Sequence, residues 1–189
     1  MFGRFDFYSQ HDSKDCGPTC LRMIAKHYGR HYTLESLRQR CHISREGVSL
    51  LGISAAAEEI GFKTLGVHLS FEQLKNEAPL PCIVHWRQNH FVVVYKIRRG
   101  KVYVADPGAG LLQYSENEFL SGWISRKDDE GKTSEGIALL LEPQPEFYAA
   151  EGEKPDKAKF SFVLQYLKPY RKLIVQLFLG MLMGTLLQL

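Results

Sequence analysis

Residues 10–29 read QHDSKDCGPTCLRMIAKHYG, and in this stretch a cysteine stands where a polar loop turns into an apolar-periodic run. Leu21, Ile24 and Tyr28 follow Cys16 at helical spacing, and Gly29 marks a stop. The pattern predicts a helix that begins at Cys16. The N-terminus of a helix favours negative charge, as does a nearby imidazole, and both lower the pKa of a thiol toward the reactive thiolate. Cys16 is therefore a candidate nucleophile, although most cysteines of this kind simply pack in a core.

A candidate base lies at the open end of a predicted hairpin. The runs HFVVVYKI and KVYVAD have strand character, and Arg98 to Gly100 between them read as the turn. Pairing around that turn brings His90 and Asp106 close together at the opposite end. An aspartate that accepts from one ring nitrogen fixes the tautomer and leaves the other nitrogen for a thiol. The alternative is a histidine at a strand edge and an ordinary Asp-Pro-Gly turn.

Acyl transfer also requires donors for an oxyanion. The backbone N–H of Cys16 is one candidate, and the side-chain amide of Gln10, on the loop leading to Cys16, is the other. Gly17 removes side-chain bulk beside the thiol, which would let a substrate backbone approach. Asp15 is better suited to capping the helix, and His85, in mid-strand, to packing. We expect Cys16, His90, Asp106 and Gln10 to form the site.

Neither a metal nor a nucleotide site is expected. Cys16 and Cys20 form C-x3-C without a second cysteine pair, which gives poor support for zinc. The GKT at 131–133 lacks the glycine of a phosphate-binding loop, since Arg126 occupies that position. The net charge of +3 is too small to indicate nucleic acid. Four cysteines without an export signal indicate free thiols in a reducing compartment.

The surrounding elements change character along the chain. Helices are predicted first, opened by Thr33 (to Arg40), by Ser49 (closed by Gly61) and by a Ser70–Gln73 capping box. Short β-branched strands follow from Pro81, and another capping box at Ser115 and Glu118 precedes EFLSGW. The last strand is GIALLLE, after a polar loop at 125–136. Helices followed by antiparallel strands indicate an α+β domain over residues 1–142.

The C-terminal part differs in composition. Residues 143–159 carry Pro, Gly and charge and are interpreted as a linker. Residues 160–189 are interpreted as a juxtamembrane segment and the truncated start of a first transmembrane helix, because 173–189 are 17 uncharged, mostly apolar residues. The alternative is a buried helix. Lys168, Arg171 and Lys172 favour a cytoplasmic N-terminal side.

With these residues assembled, the chain resembles the N-terminal cysteine peptidase domain of peptidase-containing ABC transporters, the bacteriocin and peptide exporters. The resemblance covers residues 9–142. It is carried by DCGPTCLRMIAKHYG, GVSLLGISAAAEEIGF, HFVVVYKI, DPGAG and EFLSGW. Thr19 stands where the family more often has alanine, and His27 where an aromatic residue is common; neither departure affects the presumed chemistry.

The resemblance implies a papain-like α+β fold and a site of Cys16 as nucleophile, His90 as base and then acid, Asp106 as orienting acid, and Gln10 with the Cys16 N–H as oxyanion hole. It implies cleavage after a Gly-Gly-type pair that ends a helical leader peptide. The peptidase needs no cofactor, and ATP is expected only in a nucleotide-binding domain absent from this chain. The implied partners are the transmembrane and nucleotide-binding domains of an exporter, at the cytoplasmic face of the bacterial inner membrane.

Two other functions stay open on the sequence. A docking module would hold export substrates without cutting them, but such modules lack the cysteine that this chain has. A papain-like acyltransferase would use the same acyl-enzyme chemistry with an amine in place of water, so the triad does not exclude it.

Overall fold

The computed structural model describes residues 5–43, 47–127, 134–150, 152–153 and 168–187. The chain divides into two compact units, Met1–Pro155 and Asp156–Leu189. All the residues proposed from the sequence for the site belong to the first unit.

Among the described residues, three α-helices lie before the first strand of that unit, and they begin where the sequence predicts. They are α1 (Cys16–His27), α2 (Leu34–Arg40) and α3 (Leu50–Glu59). The Thr33 side chain accepts from the backbone N–H of Ser36, and that of Ser49 accepts from Gly52. These caps satisfy backbone donors that a helix start leaves unpaired.

In the described residues, two short helices lie among the strands, α4 (Phe71–Asn76) and α5 (Glu116–Trp123), and a third, α6 (Pro145–Ala149), follows the last strand. The predicted capping boxes are confirmed for the first two. Ser70 and Gln73 exchange hydrogen bonds at the start of α4, and Ser115 and Glu118 do so at the start of α5.

Seven strands in the described ranges form one antiparallel sheet. They are β1 (Phe62–Ser70), β2 (Cys82–Trp86), β3 (His90–Arg98), β4 (Lys101–Asp106), β5 (Gly110–Ser115), β6 (Ile124–Lys127) and β7 (Ser134–Pro143). The order is β1-β7-β2-β3-β4-β5, and β6 pairs with β7. β2, β3, β4 and β7 confirm the predicted strands, and the α+β, papain-like class is confirmed by the fold.

The other three strands were not predicted from the sequence. β1 and β5 are the two edges of the sheet, so their side chains are largely exposed or half-buried and show no clean apolar alternation. β6 begins one residue before the predicted polar loop and ends inside it, and the centre of that loop, residues 128–133, lies outside the described residues.

The two faces of the sheet carry separate cores. On one face α1 and α3 pack against Ile83, Phe91, Val93 and Leu139. On the other face α4 and α5 pack against a second cluster that includes Trp86, Val92, Val94, Phe119 and Trp123. The site predicted from the sequence lies where α1 meets β3.

The linker interpreted from residue 143 starts later in the structure. Pro143 ends β7, and Phe147 in α6 is fully buried with its ring centroid 4.4 Å from that of Phe62. The Glu153 carboxylate accepts from the backbone N–H and the hydroxyl of Thr33, at 2.9 and 2.8 Å. One buried apolar residue in a five-residue helix changes the local composition very little. The sequence of this segment therefore could not be distinguished from that of a linker. The rest of the predicted linker, residue 151 and residues 154–159, lies outside the described residues.

The second unit contains a 3-10 turn at Lys168–Tyr170 and helix α7 (Arg171–Leu187). In the part of the chain that the structure describes, no helix is long and apolar enough to cross a membrane. Residues 160–167 of the predicted juxtamembrane segment lie outside that part. The truncated transmembrane helix therefore stays a prediction.

Candidate active site

Cys16 is the first residue of α1, as predicted, and it is 5% exposed. The turn before it is a 3-10 helix over Ser13–Asp15, closed by a capping box between Asp12 and Asp15. Asp15 occupies the N-cap position of α1, but its side chain makes no cap hydrogen bond to that helix. The carboxylate instead accepts from the backbone N–H of Asp12 at 3.1 Å. The predicted capping of α1 by the Asp15 side chain is thus wrong, because the preceding turn uses that carboxylate.

The structure gives a different reason for a glycine at position 17 than the one inferred from the sequence. A Cβ atom added at Gly17 would lie 2.6 Å from side-chain atoms of both Ile53 and Val48. No side chain fits there without displacing the packing of α1 against α3. Gly17 therefore permits a close helix contact, and the prediction that it opens a path for substrate is not supported.

His90 and Asp106 are brought together at the open end of the β3–β4 hairpin. His90 Nε2 and Asp106 Oδ1 are 2.8 Å apart, and the backbone N–H of Gly108 donates to the same oxygen at 2.8 Å. The bond at Nε2 leaves Nδ1 as the ring nitrogen available to Cys16. The predicted pairing of histidine and aspartate is confirmed.

A β-bulge in β3 sets which residues share a face at this end. Next to the turn Arg98 pairs with Lys101, but beyond Tyr95 the register shifts so that Val94 pairs with Val104. Had the register of the turn continued, Asp106 would lie opposite Val93, whose side chain is in the core shared with α1. The extra residue in β3 shifts the pairing of the two strands by one position. Asp106 therefore lies on the same face of the sheet as His90.

A tight turn fixes the start of β3. Arg87 and Gln88 both have positive φ, +48° and +62°, and the N–H of Asn89 donates to the carbonyl of Trp86 at 3.3 Å. Left-handed conformations are costly for residues with a Cβ, and such turns usually carry Asn-Gly. The Arg87 N–H also donates to the Gly122 carbonyl at 2.8 Å, which ties the turn to α5. His90 thus starts from a restrained turn that the sequence pattern did not reveal.

The charges of the site favour an ion pair. Burial lowers the pKa of His90, but hydrogen bonds and charge interactions with Asp106 and Cys16 outweigh it and raise that pKa to about 9. Burial acts to raise the pKa of Asp106, and bonds from His90 and Gly108 outweigh it, so that pKa lies below its ordinary value. At neutral pH the ring is an imidazolium next to a sulfur and a carboxylate.

Gln10 lies against the turn that follows Asp106. Its backbone N–H donates to the carbonyl of Pro107 at 3.0 Å. A Cβ added at Gly108 would be 3.6 Å from Gln10 Nε2 and 3.5 Å from Asp106 Oδ1, so these side chains share one corner of the site. Gln10 Oε1 is buried and has no hydrogen-bond partner among the described residues. The structure thus brings Gln10 to the same turn as the His90–Asp106 pair.

The remaining cysteines have structural environments. Cys20 is fully buried and donates from Sγ to the carbonyl of Phe91 at 3.3 Å. Burial raises the pKa of Cys20, and it raises the pKa of Cys41 and Cys82 to about 12. These three thiols stay neutral at physiological pH and are poor nucleophiles. Within the described ranges, no group of three or more His, Cys, Asp or Glu residues is arranged to hold a metal ion.

His85, the competing histidine, packs as expected. Its ring stacks on Phe91 with centroids 5.0 Å apart, and burial lowers its pKa.

Two features of the structure, one beside the site and one far from it, were missed in the sequence. Arg38 of α2 places Nε 3.1 Å from Asp15 Oδ1, directly before the candidate nucleophile. At the other end of the sheet, a pocket of about 240 Å³ lies between β1, β7 and Pro79. Its lining includes Leu65, Pro79 and Leu140, with the charged residues Lys63 and Glu142. Neither feature has a local sequence signature, because each joins segments far apart in the chain.

Comparisons with known proteins agree with this geometry. The family model described as "Peptidase C39 family" matches residues 4–126. The chain is 34% identical over 140 residues to the probable microcin-H47 secretion/processing ATP-binding protein MchF of Escherichia coli. That match covers 74% of this chain and 18% of MchF, so the chain spans less than a fifth of the length of that relative.

Two solved structures have the same fold. A double glycine motif protease from an AMS/PCAT transporter, in complex with the leader peptide, superposes with a TM-score of 0.64 at 30% identity. The superposition covers 76% of this chain and 96% of the protease chain. The peptidase domain of Streptococcus ComA, a bi-functional ABC transporter, superposes with a TM-score of 0.62 at 30% identity and covers 75% of this chain and 100% of that one.

Proposed function

This chain belongs to the peptidase C39 family and is a cysteine peptidase domain, and on that premise we propose that it removes double-glycine leader peptides from peptides destined for export. The observation that carries the proposal is that His90 interacts with both Asp106 and Cys16, and that Cys16 lies at a helix N-terminus. The raised pKa of His90 supports a protonated imidazole ring beside the Cys16 sulfur, ready to donate its proton.

The first half of the reaction forms a thioester. The Cys16 thiolate attacks the carbonyl carbon of the last leader residue, and the electron pair of the carbonyl moves to its oxygen. We assign the oxyanion to the backbone N–H of Cys16 and the Gln10 side-chain amide. His90 then gives its Nδ1 proton to the leaving nitrogen, the C–N bond breaks, and the cargo departs with a free amine.

The second half releases the leader. His90, now neutral, accepts a proton from water as the water oxygen attacks the thioester carbon. The C–S bond breaks, Cys16 returns to thiolate and the leader leaves as a carboxylic acid. Throughout, Asp106 holds the ring by Nε2 and stabilises the imidazolium.

The pocket between β1 and β7 is suited to anchoring the leader. It is apolar at Leu65, Pro79 and Leu140, and Leu65 is 58% exposed. A helical leader presents apolar side chains at i, i+3 and i+4, and one such side chain fits a pocket of about 240 Å³. The protease structure that contains a leader peptide supports this class of ligand.

We further propose that the domain works at the cytoplasmic face of a bacterial cell membrane, as part of an ABC exporter. The naming of MchF as a secretion and processing protein supports this placement. Membrane attachment through residues 160–189, and ATP binding by a separate nucleotide-binding domain, belong to the same proposal.

The test is cleavage of a synthetic peptide by the 189-residue chain. The peptide carries a helical leader that ends in Gly-Gly, joined to a short cargo, and intact-mass spectra identify the products. We expect one cut directly after Gly-Gly and no cut with Cys16→Ala. Cys20→Ala is the matched control, since it removes the cysteine one turn later and should leave the cleavage position unchanged.

Saturable binding of the leader without any cut would replace the proposal with a docking function. Transfer of the leader to an added amine, in preference to water, would indicate an acyltransferase. Cutting that persists in Cys16→Ala would refute the assignment of the nucleophile.

A further inference from the structure

The ion pair between Asp15 and Arg38 lies immediately before the nucleophile. Asp15 is fully buried, and its two carboxylate oxygens have different partners. Oδ2 accepts from the Asp12 N–H at 3.1 Å. Oδ1 is buried and accepts no hydrogen bond among the described residues, but it lies 3.1 Å from Arg38 Nε, an ion-pair distance. The Arg38 side chain is 41% exposed and lies on the last turn of α2.

A buried carboxylate at this position needs compensation. An isolated charge in a protein interior carries a large desolvation cost, and one that stands beside a developing thiolate also opposes its formation. Asp15 is the residue next to Cys16, and Arg38 is the cationic side chain in contact with it. A cation here neutralises Asp15 while leaving its bond to the turn intact.

We infer that Arg38 is a positioning residue that acts through Asp15. It cancels the charge of Asp15 beside Cys16 and joins α2 to the turn from which α1 starts. The inference rests on the proposed function for its meaning in catalysis, but the reactivity of Cys16 can be measured without any peptide substrate.

Other titratable groups also lie around Cys16 and influence how its reactivity changes with pH. His90 and Asp106 face it from β3 and β4, and the neutral thiol of Cys20 lies one turn along α1. Glu35 is 3.9 Å from Arg38 and 67% exposed, so solvent screens it. None of these groups changes in the variants below.

The experiment measures the rate at which iodoacetamide alkylates Cys16 in the full chain, as a function of pH, with mass spectrometry to locate the label. We expect Arg38→Gln to move the acid side of the profile upward by about one pH unit, because it leaves a negative charge beside the thiolate. Asp15→Asn removes that charge and is expected to move it downward. The double variant Asp15→Asn/Arg38→Gln is expected to return close to the wild-type profile.

Arg40→Gln is the matched control. Arg40 lies on the same helix and pairs at 2.6 Å with Glu59, which is 56% exposed, and no contact links this pair to Cys16 among those the structure describes. Its profile should superpose on that of the wild type. A purely structural role for Arg38 would lower the alkylation rate at every pH without moving the profile.

Superposition of the Arg38→Gln and wild-type profiles would overturn the inference, as would a shift that persists in the double variant. Should Arg38→Gln fail to fold, Asp15→Asn carries the same test, and an unmoved profile overturns the inference there too. Failure of the leader peptide to be cut, with the alkylation shifts present, would overturn the proposed substrate and not the role of Arg38.

Discussion

The two ends of the central sheet differ in the kind of side chain that they hold in place. At β3 and β4, His90 and Asp106 have side chains only 20% and 12% exposed and are bonded to each other. At β1 and β7, Leu65 is 58% exposed and lines an apolar pocket. β2 lies between these strand pairs. Chemistry and recognition are therefore assigned to different strands, and substitutions at one end should leave the other function unchanged.

The largest expected effect is at the β3–β4 end. His90→Ala removes the proton donor and acceptor and should lower kcat by about 10⁴-fold with little change in KM. Asp106→Asn keeps a hydrogen-bonding group but disturbs the tautomer and removes the charge that stabilises the imidazolium, so we expect a smaller loss, of about 10²-fold. Steady-state kinetics with the leader peptide measure both. Equal losses in the two variants would contradict the assignment of Asp106 as an orienting group.

The next effect tests Gln10. Gln10→Ala removes one of the two assigned oxyanion donors, and we expect kcat to fall by about 10²-fold. Alkylation of Cys16 should keep its wild-type pH profile, because no oxyanion forms in that reaction. A loss of alkylation rate equal to the loss of kcat would show that Gln10 supports the site only structurally.

A smaller effect is expected at the β1–β7 end. Leu65→Asp places a charge in the apolar pocket, and we expect KM to rise about tenfold with kcat unchanged, which corresponds to about 1.4 kcal/mol of leader binding. Leu51→Asp is the matched control, since Leu51 is 79% exposed on α3 and does not line this pocket. A fall in kcat with KM unchanged would contradict the assignment of leader binding to the β1–β7 end and of catalysis to the β3–β4 end.

The last expected effect is on stability and not on activity. Folding raises the pKa of His90 from 6.5 to about 9, so its contribution is fully present below pH 6.5 and is lost as the pH rises through 9. The shift corresponds to a stability change on the order of 3 kcal/mol. Urea unfolding at pH 6.5 and pH 9 measures it, and His90→Gln should lack the decrease. The buried thiols add their own losses only above about pH 9, since their ordinary pKa is 9.0. A decrease of the same size in His90→Gln would refute the link to His90.

The sequence carried enough information to place the chemical groups. Caps at Thr33, Ser49, Ser70 and Ser115 fixed the helix starts, because each cap is a local hydrogen bond between residues three apart. The hairpin brought His90 close to Asp106 because pairing around a short turn constrains its far end. Both inferences depend on neighbours in the chain.

Features that depend on distant segments were not predictable in this way. The bulge at Tyr95 decides which face of the sheet Asp106 occupies, and no residue pattern in VVVYKI predicts a bulge. The Asp15–Arg38 pair and the pocket each need the tertiary structure. Gly17 was interpreted as an opening, because its contacts with Ile53 and Val48 lie more than thirty residues away in the chain.

The contact of Glu153 with Thr33 has a mechanical consequence. Glu153 holds the N-terminus of α2, and Arg38, on the last turn of the same helix, holds Asp15 beside Cys16. A seven-residue helix is about 10 Å long and stiff over that length. The Glu153 N–H also donates to the His31 carbonyl at 2.8 Å. A pull on the chain after Glu153 is therefore expected to load the start of α2 and the residues before it, and α2 joins that point to the turn that carries the nucleophile.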